Sequence, residues 1–243
     1  MEFKDFQQIC EVAFANNGLS LPTEAQTSTL FRLTEIMLET NKSMNLTAIK
    51  EEKAVILKHY VDSLLLSAYI PEGATVLDVG CGAGFPTFPL AIFRPDLSIT
   101  ALDSTAKRIA YVQATAKTLE LDNITALAAR AEELAQMPAH REHYDAVTAR
   151  AVAALPVLAE LCLPFARVGG WFLPMKAKQG DDELRTATNA IRLCGGRVDE
   201  IHTLLLRSDD GEPELRTLAR VSKITATPKN YPRHFSKISK KPL

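Results

Sequence analysis

From residue 75 onward the chain alternates short apolar runs with amphipathic stretches, and this rhythm restricts the fold more than any other feature. "TVLDVG", "SITALDS", "ITALAAR", "YDAVTAR" and "GGWFLPMK" each read as a strand, and each is followed by a segment of helical spacing. Strands joined through helices run parallel, because the crossover returns the chain to the same end of the sheet. "RVDEIHTLLL" and "LRTLARVSKI" are separated only by the turn-rich "RSDDGEPE", so they read as a hairpin that adds an antiparallel edge strand. The expected fold class is α/β, a doubly wound, mostly parallel seven-stranded sheet with a C-terminal antiparallel hairpin strand.

Residues 1–70 lack this rhythm and read as a helical cap. Phe3, Phe6, Cys10, Ala13 and Phe14 share one helical face. Gly18 is placed to end that helix and Thr23 to cap the next, which carries Leu30, Leu33, Met37 and Leu38. "EEKAVILKHYVDSLLLSAYI" predicts a third helix, closed by Pro71 and Gly73. The expected organisation is a cap over 1–70, an α/β domain over 71–228 and a basic tail over 229–243.

Composition narrows the function classes. With 243 residues, 47% hydrophobic and 23% charged, the chain reads as globular and not as disordered or fibrous. No apolar run approaches the ~20 residues of a membrane span. Cys10, Cys81, Cys162 and Cys194 lie far apart, with no metal-ligand spacing and no disulfide framework. The expectation is therefore a cytoplasmic protein without metal, working as a single chain, with Cys162 a core thiol. The net charge of −1 conceals a segregation: all 29 acids precede residue 215. Arg216, Arg220, Lys223, Lys229, Arg233, Lys237, Lys240 and Lys241 follow it. Such a block suits a polyanion partner or, equally, a solvated terminus.

The stretch "LDVGCGAGFPTFPLAI" carries the chemistry. Gly80, Gly82 and Gly84 follow the first strand at alternate positions, at the sheet rim where such folds bind ligands. A dinucleotide fingerprint would have its third glycine where this chain has Phe85, and Pro86 removes an amide donor from the helix start. The loop is a poor phosphate cradle and suits S-adenosylmethionine, whose linker carries no phosphate. Asp103 ends the second strand, where a carboxylate can accept ribose hydroxyl protons from either cofactor. Ala131 and Glu132 end the third strand, at the level of an adenine edge, although Glu132 equally reads as a first-turn helix acid. Arg150 ends the fourth, where it could meet a cofactor carboxylate, a nearby acid or a phosphate. Asp-Pro-Pro-Tyr or Asn-Pro-Pro-Tyr motifs of amine methylation and a Pro-Cys nucleophile of pyrimidine-carbon methylation are absent.

With these residues in view, the chain resembles the ribosomal RNA small subunit methyltransferase G family, also called glucose-inhibited division protein B. The resemblance rests on "NKSMNLTAI", "HYVDSLLL", "VLDVGCGAGFP", "DSTAKR", "RAEEL", "YDAVTARAVAAL", "PFARVGG" and "TPKNYPRHFSKISKKPL", in that order. It implies methyl transfer from S-adenosylmethionine to N7 of one guanine in bacterial small-subunit (16S) ribosomal RNA. Cofactor contacts then fall on Gly80, Phe85, Ala131, Glu132 and Arg150, with Asp103 as the strand-two acid. Three positions depart from the family pattern: Cys81 for a common Ser, Thr87 for a Gly, and "PMKAKQG" for a Lys-Gly pair, which leaves open whether Lys176 or Lys178 faces substrate.

Guanine N7 has a free lone pair and no proton, so no catalytic acid or base is expected. The resemblance implies a partner that is ribosomal RNA, a subunit or an assembly intermediate. The candidate RNA contacts are Arg108, Lys176, Lys229, Tyr231, Arg233, Lys237, Lys240 and Lys241. Asn45, His59 and Asp62 could approach the site mouth, with His59 read as structural. Rival readings are a nicotinamide-dependent oxidoreductase, a non-catalytic RNA-binding assembly factor on the same fold, and a small-molecule methyltransferase.

Overall fold

The structure is a computed structural model describing residues 1–150, 152–176, 180–209 and 211–243; Lys178 lies outside these. Helices α1 (Phe3–Asn16) and α2 (Glu24–Met44) open the chain. Thr23 starts α2 through a reciprocal cap: its hydroxyl accepts from the Gln26 amide at 3.2 Å, and the Gln26 side chain accepts from the Thr23 amide at 2.9 Å.

The third segment is not one helix. It divides into α3 (Glu52–Val55), a π-helical turn (Ile56–Val61), α4 (Asp62–Leu64) and a 3-10 turn (Ser67–Tyr69). A π turn is wider than an α turn and is common at functional sites. Here it puts Lys58, His59 and Asp62 on the wall of one cleft, which an unbroken apolar periodicity does not reveal.

The α/β portion runs β1 (Thr75–Val79), α5 (Thr87–Phe93), β2 (Ser98–Asp103), α6 (Ala106–Thr118), β3 (Ile124–Ala128), α7 (Ala131–Leu134), β4 (Tyr144–Arg150), α8 (Leu155–Cys162), β5 (Ala166–Lys176), α9 (Gly180–Leu193), β6 (Gly196–Leu206) and β7 (Glu214–Lys223). The sheet order is β3-β2-β1-β4-β5-β7-β6, with β1 to β5 mutually parallel and β7 antiparallel to both neighbours. The order reverses between β1 and β4, the switch point where the rim opens into a crevice.

One detail of the hairpin differs from expectation. The antiparallel strand is not at the edge: β7 inserts between β5 and β6. Leu218, Ala219 and Val221 of β7 are buried, whereas β6 exposes Arg197, Asp199 and Glu200. The apolar strand takes the covered position and the charged one guards the edge.

The cap shares its core with the sheet. Phe6, Phe14, Leu30, Leu33 and Met37 are fully buried in one cluster with Phe85, Phe88, Val112 and Leu206. Each such side chain is worth roughly 2 kcal/mol on burial, so the cap is held against the glycine loop. All four cysteines are buried. Burial pushes the Cys162 thiol well above its ordinary range, as expected for a core thiol.

The C-terminal residues are docked and not a solvated end. The Arg233 amide and Nε donate to Glu160 Oε1 at 2.9 and 2.8 Å, and Nη2 donates to Oε2 at 2.6 Å. Glu160 is fully buried. Arg141 donates to the carbonyls of Thr227, Pro228 and Tyr231, and a short helix α10 (Phe235–Lys240) buries Ile238.

Candidate functional site

A cleft of about 910 Å³ opens at the switch point. Its floor is the loop after β1, where Gly80, Gly82 and Gly84 all have positive φ. Two of the glycines answer neighbouring side chains. A Cβ on Gly84 would overlap the Phe88 ring, and one on Gly80 would lie 2.6 Å from Val152. Gly82 meets nothing closer than 3.9 Å and lines the cleft.

The loop amides decide what it can hold. Gly80 and Cys81 both donate to Leu102 O, Gly84 and Phe85 both donate to Cys81 O, and Gly82 donates to Asp103 Oδ2. Five amides that could otherwise face a pyrophosphate are thus spent inside the protein, and Pro86 has none. The geometry disfavours a phosphate-bearing cofactor on stronger grounds than the missing third glycine.

Asp103 is fixed on the rim. Besides the Gly82 amide at 3.1 Å, its Oδ1 accepts from Thr105 N at 2.8 Å, and Arg108 Nη1 lies 3.5 Å from Oδ2. Beneath the loop, Asp78 is fully buried and accepts from the Thr87 hydroxyl at 2.6 Å, while its Oδ1 lacks a hydrogen-bond partner among the described residues. Burial pushes its carboxyl up to about 6. Thr87 therefore has a structural use: its hydroxyl anchors the strand-one acid. At the far end of the cleft, Ala131 and Glu132 begin α7. Glu132 is buried, its Oε1 lacks a hydrogen-bond partner among the described residues, and Arg130 Nη1 is 4.0 Å away.

The opposite wall joins cap and sheet. Arg150 Nη1 donates to Lys58 O at 2.9 Å and to Asp62 Oδ2 at 3.0 Å. Asp62 Oδ1 accepts from Arg216 Nε at 2.7 Å. Of the three options open for Arg150, the structure shows the acid pair.

His59 lies flat on Phe85, with ring centroids 4.3 Å apart and planes 1° from parallel. Arg150 Nη2 can only donate, so His59 Nδ1 accepts at 3.2 Å and Nε2–H donates to the Thr47 hydroxyl at 2.9 Å. Burial, then the Arg150 charge, pushes His59 down to about 3. The ring is neutral, with both nitrogens committed, and offers no base.

The predicted cofactor residues Gly80, Gly82, Phe85, Asp103, Ala131, Glu132 and Arg150 all line the cleft, whereas Gly84 does not and packs instead against the Phe88 ring. The basic candidates divide. Arg108 is partly exposed at the cleft. Lys176 also lines it, but its Nζ donates to Ala153 O at 2.6 Å and pairs with Glu183 at 2.9 Å, so it ties a loop to α9. Arg233 is committed to Glu160, and Tyr231 packs on the central cluster. Three cations counted into the basic block are likewise committed: Arg216 to Asp62, Lys223, fully buried, to Leu163 O and Glu142, and Arg220, at the surface, to Glu200 and the Trp171 ring. Lys229, Lys237, Lys240 and Lys241 are exposed. Such commitments cross between distant elements, and no local pattern announces them.

Several cleft residues escaped the sequence reading. Thr47 lies inside the motif "NKSMNLTAI" and Lys58 directly precedes "HYVDSLLL", which is the only signal either carried. Arg216 stood only in the basic block and Phe235 only in the C-terminal motif, with nothing local to bring either to the cleft. Among the described residues, no cluster of His, Cys, Asp and Glu could hold a metal ion. No described helix is long and apolar enough to cross a membrane.

Comparison with known proteins agrees with this architecture. An O-methyltransferase from Bacillus cereus, solved with S-adenosylhomocysteine, superposes with a TM-score of 0.55 over 91% of this chain and all of that one, at 17% identity. A SAM-dependent methyltransferase from Aquifex aeolicus gives 0.51 over 68% of this chain and 92% of the other, at 18% identity. These show the fold. Sequence relatives are much nearer. The ribosomal RNA small subunit methyltransferase G of Brevibacillus brevis is 42% identical over 98% of both chains. That of Alkaliphilus metalliredigens is 43% identical over 90% of this chain and 91% of its own. Residues 26–210 match the model of the GidB family, rRNA small subunit methyltransferase G. The chain belongs to the rRNA small subunit methyltransferase G family.

Proposed function

We propose that the cleft binds S-adenosylmethionine and that the protein transfers its methyl group to N7 of a guanine in small-subunit ribosomal RNA, in the cytoplasm and as a single chain. The inward-turned glycine-loop amides carry this reading, because they leave a floor suited to a ligand without phosphate. The residues present fit the cofactor: Asp103 offers carboxylate oxygens to a ribose, and Glu132 Oε1, without a hydrogen-bond partner among the described residues, offers an acceptor to an adenine amine. When bound, S-adenosylmethionine supplies an electrophilic methyl on a sulfonium.

The protein's contribution is to position and to balance charge. The N7 lone pair forms the new N–C bond as the S–C bond breaks, and no proton moves. That suits a His59 held neutral, since a cation there would oppose the positive charge gained by the methylated ring. RNA is held mainly through phosphates by Lys229, Lys237, Lys240, Lys241 and Arg108, with Lys176 near the cleft.

The test is methyl transfer from labelled S-adenosylmethionine to small subunits from cells lacking this gene, followed by borohydride and aniline cleavage. Label and cleavage at one guanine are expected. Tight cofactor binding with no label on any subunit, free RNA or assembly intermediate would overturn the reading.

A further inference from the structure

We propose that Phe235 is a cofactor-binding residue: its ring forms a wall of the adenine subsite, so the basic C-terminal segment helps to build the cleft. The inference rests on reading the cleft as the S-adenosylmethionine site. Phe235 lines that cleft together with Ala131, Glu132 and Leu161, yet lies more than a hundred residues from the nearest strand-end motif in that group. It is 37% exposed, while the segment around it is tightly held.

The same two short helices make the adenine end and hold the tail. The segment carrying Ala131 and Glu132 continues to Gln136, whose Nε2 donates to Pro232 O at 3.1 Å. On α8, Glu160 takes three hydrogen bonds from Arg233 while its neighbour Leu161 lines the cleft. Arg233 Nη2 also donates to Lys241 O at 3.1 Å, and His234 Nδ1 accepts from the Ser236 amide, fixing the first turn of α10. Phe235 sits between these clamps. An apolar ring kept partly in solvent by so many polar ties has an unfilled apolar face, and adenine supplies a flat one to stack on it. The exposed Lys237, Lys240 and Lys241 stand on the same short element, so a group that meets RNA is built onto the cofactor wall.

The experiment compares wild type, Phe235→Ala and Phe235→Trp for binding of S-adenosylhomocysteine and of methylthioadenosine, which keeps the adenosine and lacks the amino acid. Stacking of a base on an aromatic side chain is worth enough to expect about a tenfold loss of affinity in Phe235→Ala, equal for both ligands. Phe235→Trp is expected to restore it. The ring is partly exposed, so the unliganded thermal midpoint is expected to stay within about 2 °C of wild type. Unchanged affinity in a stably folded Phe235→Ala would overturn the inference while leaving the cofactor reading intact. A loss seen only with S-adenosylhomocysteine would also overturn it, because the ring would then face the amino-acid end. A wild type that binds neither ligand would instead defeat the reading of the cleft.

Discussion

Asp62, in the cap, lies 3.0 Å from Arg150 at the end of β4, and its second oxygen lies 2.7 Å from Arg216 on β7. One buried carboxylate thus joins three parts of the chain beside the cleft. Its single negative charge sits between two guanidinium groups, and Glu214, 3.1 Å from Arg216, supplies the second.

Removing that carboxylate is expected to be costly. Asp62→Asn keeps the size but leaves the buried Arg150 without its carboxylate, while Arg216 keeps Glu214 at 3.1 Å; losing one partner of a buried pair typically costs about 3–5 kcal/mol. Urea unfolding reads the difference directly. A loss below about 1 kcal/mol would show that Asp62 is not what balances the Arg150 charge.

His59 and Asp78 make opposite contributions to pH dependence. His59 is pushed down to about 3 from 6.5. As pH falls below 6.5 the unfolded chain gains a proton there that the native one refuses, so stability drops. Asp78 is pushed up to about 6 from 3.8, so the native chain takes its proton first and gains stability as pH falls through that window. Between pH 6 and 4, His59→Gln is expected to improve steadily relative to wild type, and Asp78→Asn to worsen. Parallel stability curves for all three proteins would contradict both assignments.

Asp103→Ala removes an acceptor from the Gly82 and Thr105 amides and, on the proposed reading of the cleft, from the cofactor's ribose. Hydrogen bonds to a charged group are worth about 1.5–3 kcal/mol, so the dissociation constant for S-adenosylhomocysteine is expected to rise about 10- to 100-fold. Calorimetric titration checks it, and an unchanged constant would remove Asp103 from the site.

The glycines separate packing from binding. Gly84→Ala drives a Cβ into the Phe88 ring and is expected to destabilise the fold by about 2–3 kcal/mol. Gly82→Ala meets open space and is expected to cost about 1 kcal/mol of stability, while weakening cofactor binding more than Gly84→Ala does. The reverse ranking in denaturation and titration would mean that Gly82, not Gly84, is the packing glycine.

The tail lysines are expected to act through charge. Replacing Lys237, Lys240 and Lys241 with Ala should weaken RNA binding and lower the salt slope by about 2. Arg233→Ala should instead destabilise the fold, because it strands the buried Glu160. An RNA-binding defect in Arg233→Ala at full stability would reverse that division.

The amino-acid sequence by itself determined the strand–helix alternation, the capped α2, the loop after β1 and the strand-end acid, because each depends on neighbours a few residues apart. Apolar periodicity, a Thr–Gln cap and glycines at alternate positions are local signals, and the family motifs ordered them into one architecture. Only the tertiary structure decided which charges were free. Arg216, Lys223 and Arg233 belong to a basic block in the sequence, yet each is spent on a partner 60 or more residues away. The π turn that carries His59 to the cleft and sets Asp62 just after it, the insertion of β7 between β5 and β6, and the arrival of Phe235 at the cleft are of the same kind. Each is settled by burial and ion pairing between elements that meet only when the chain has folded, and local pattern carries no record of those meetings.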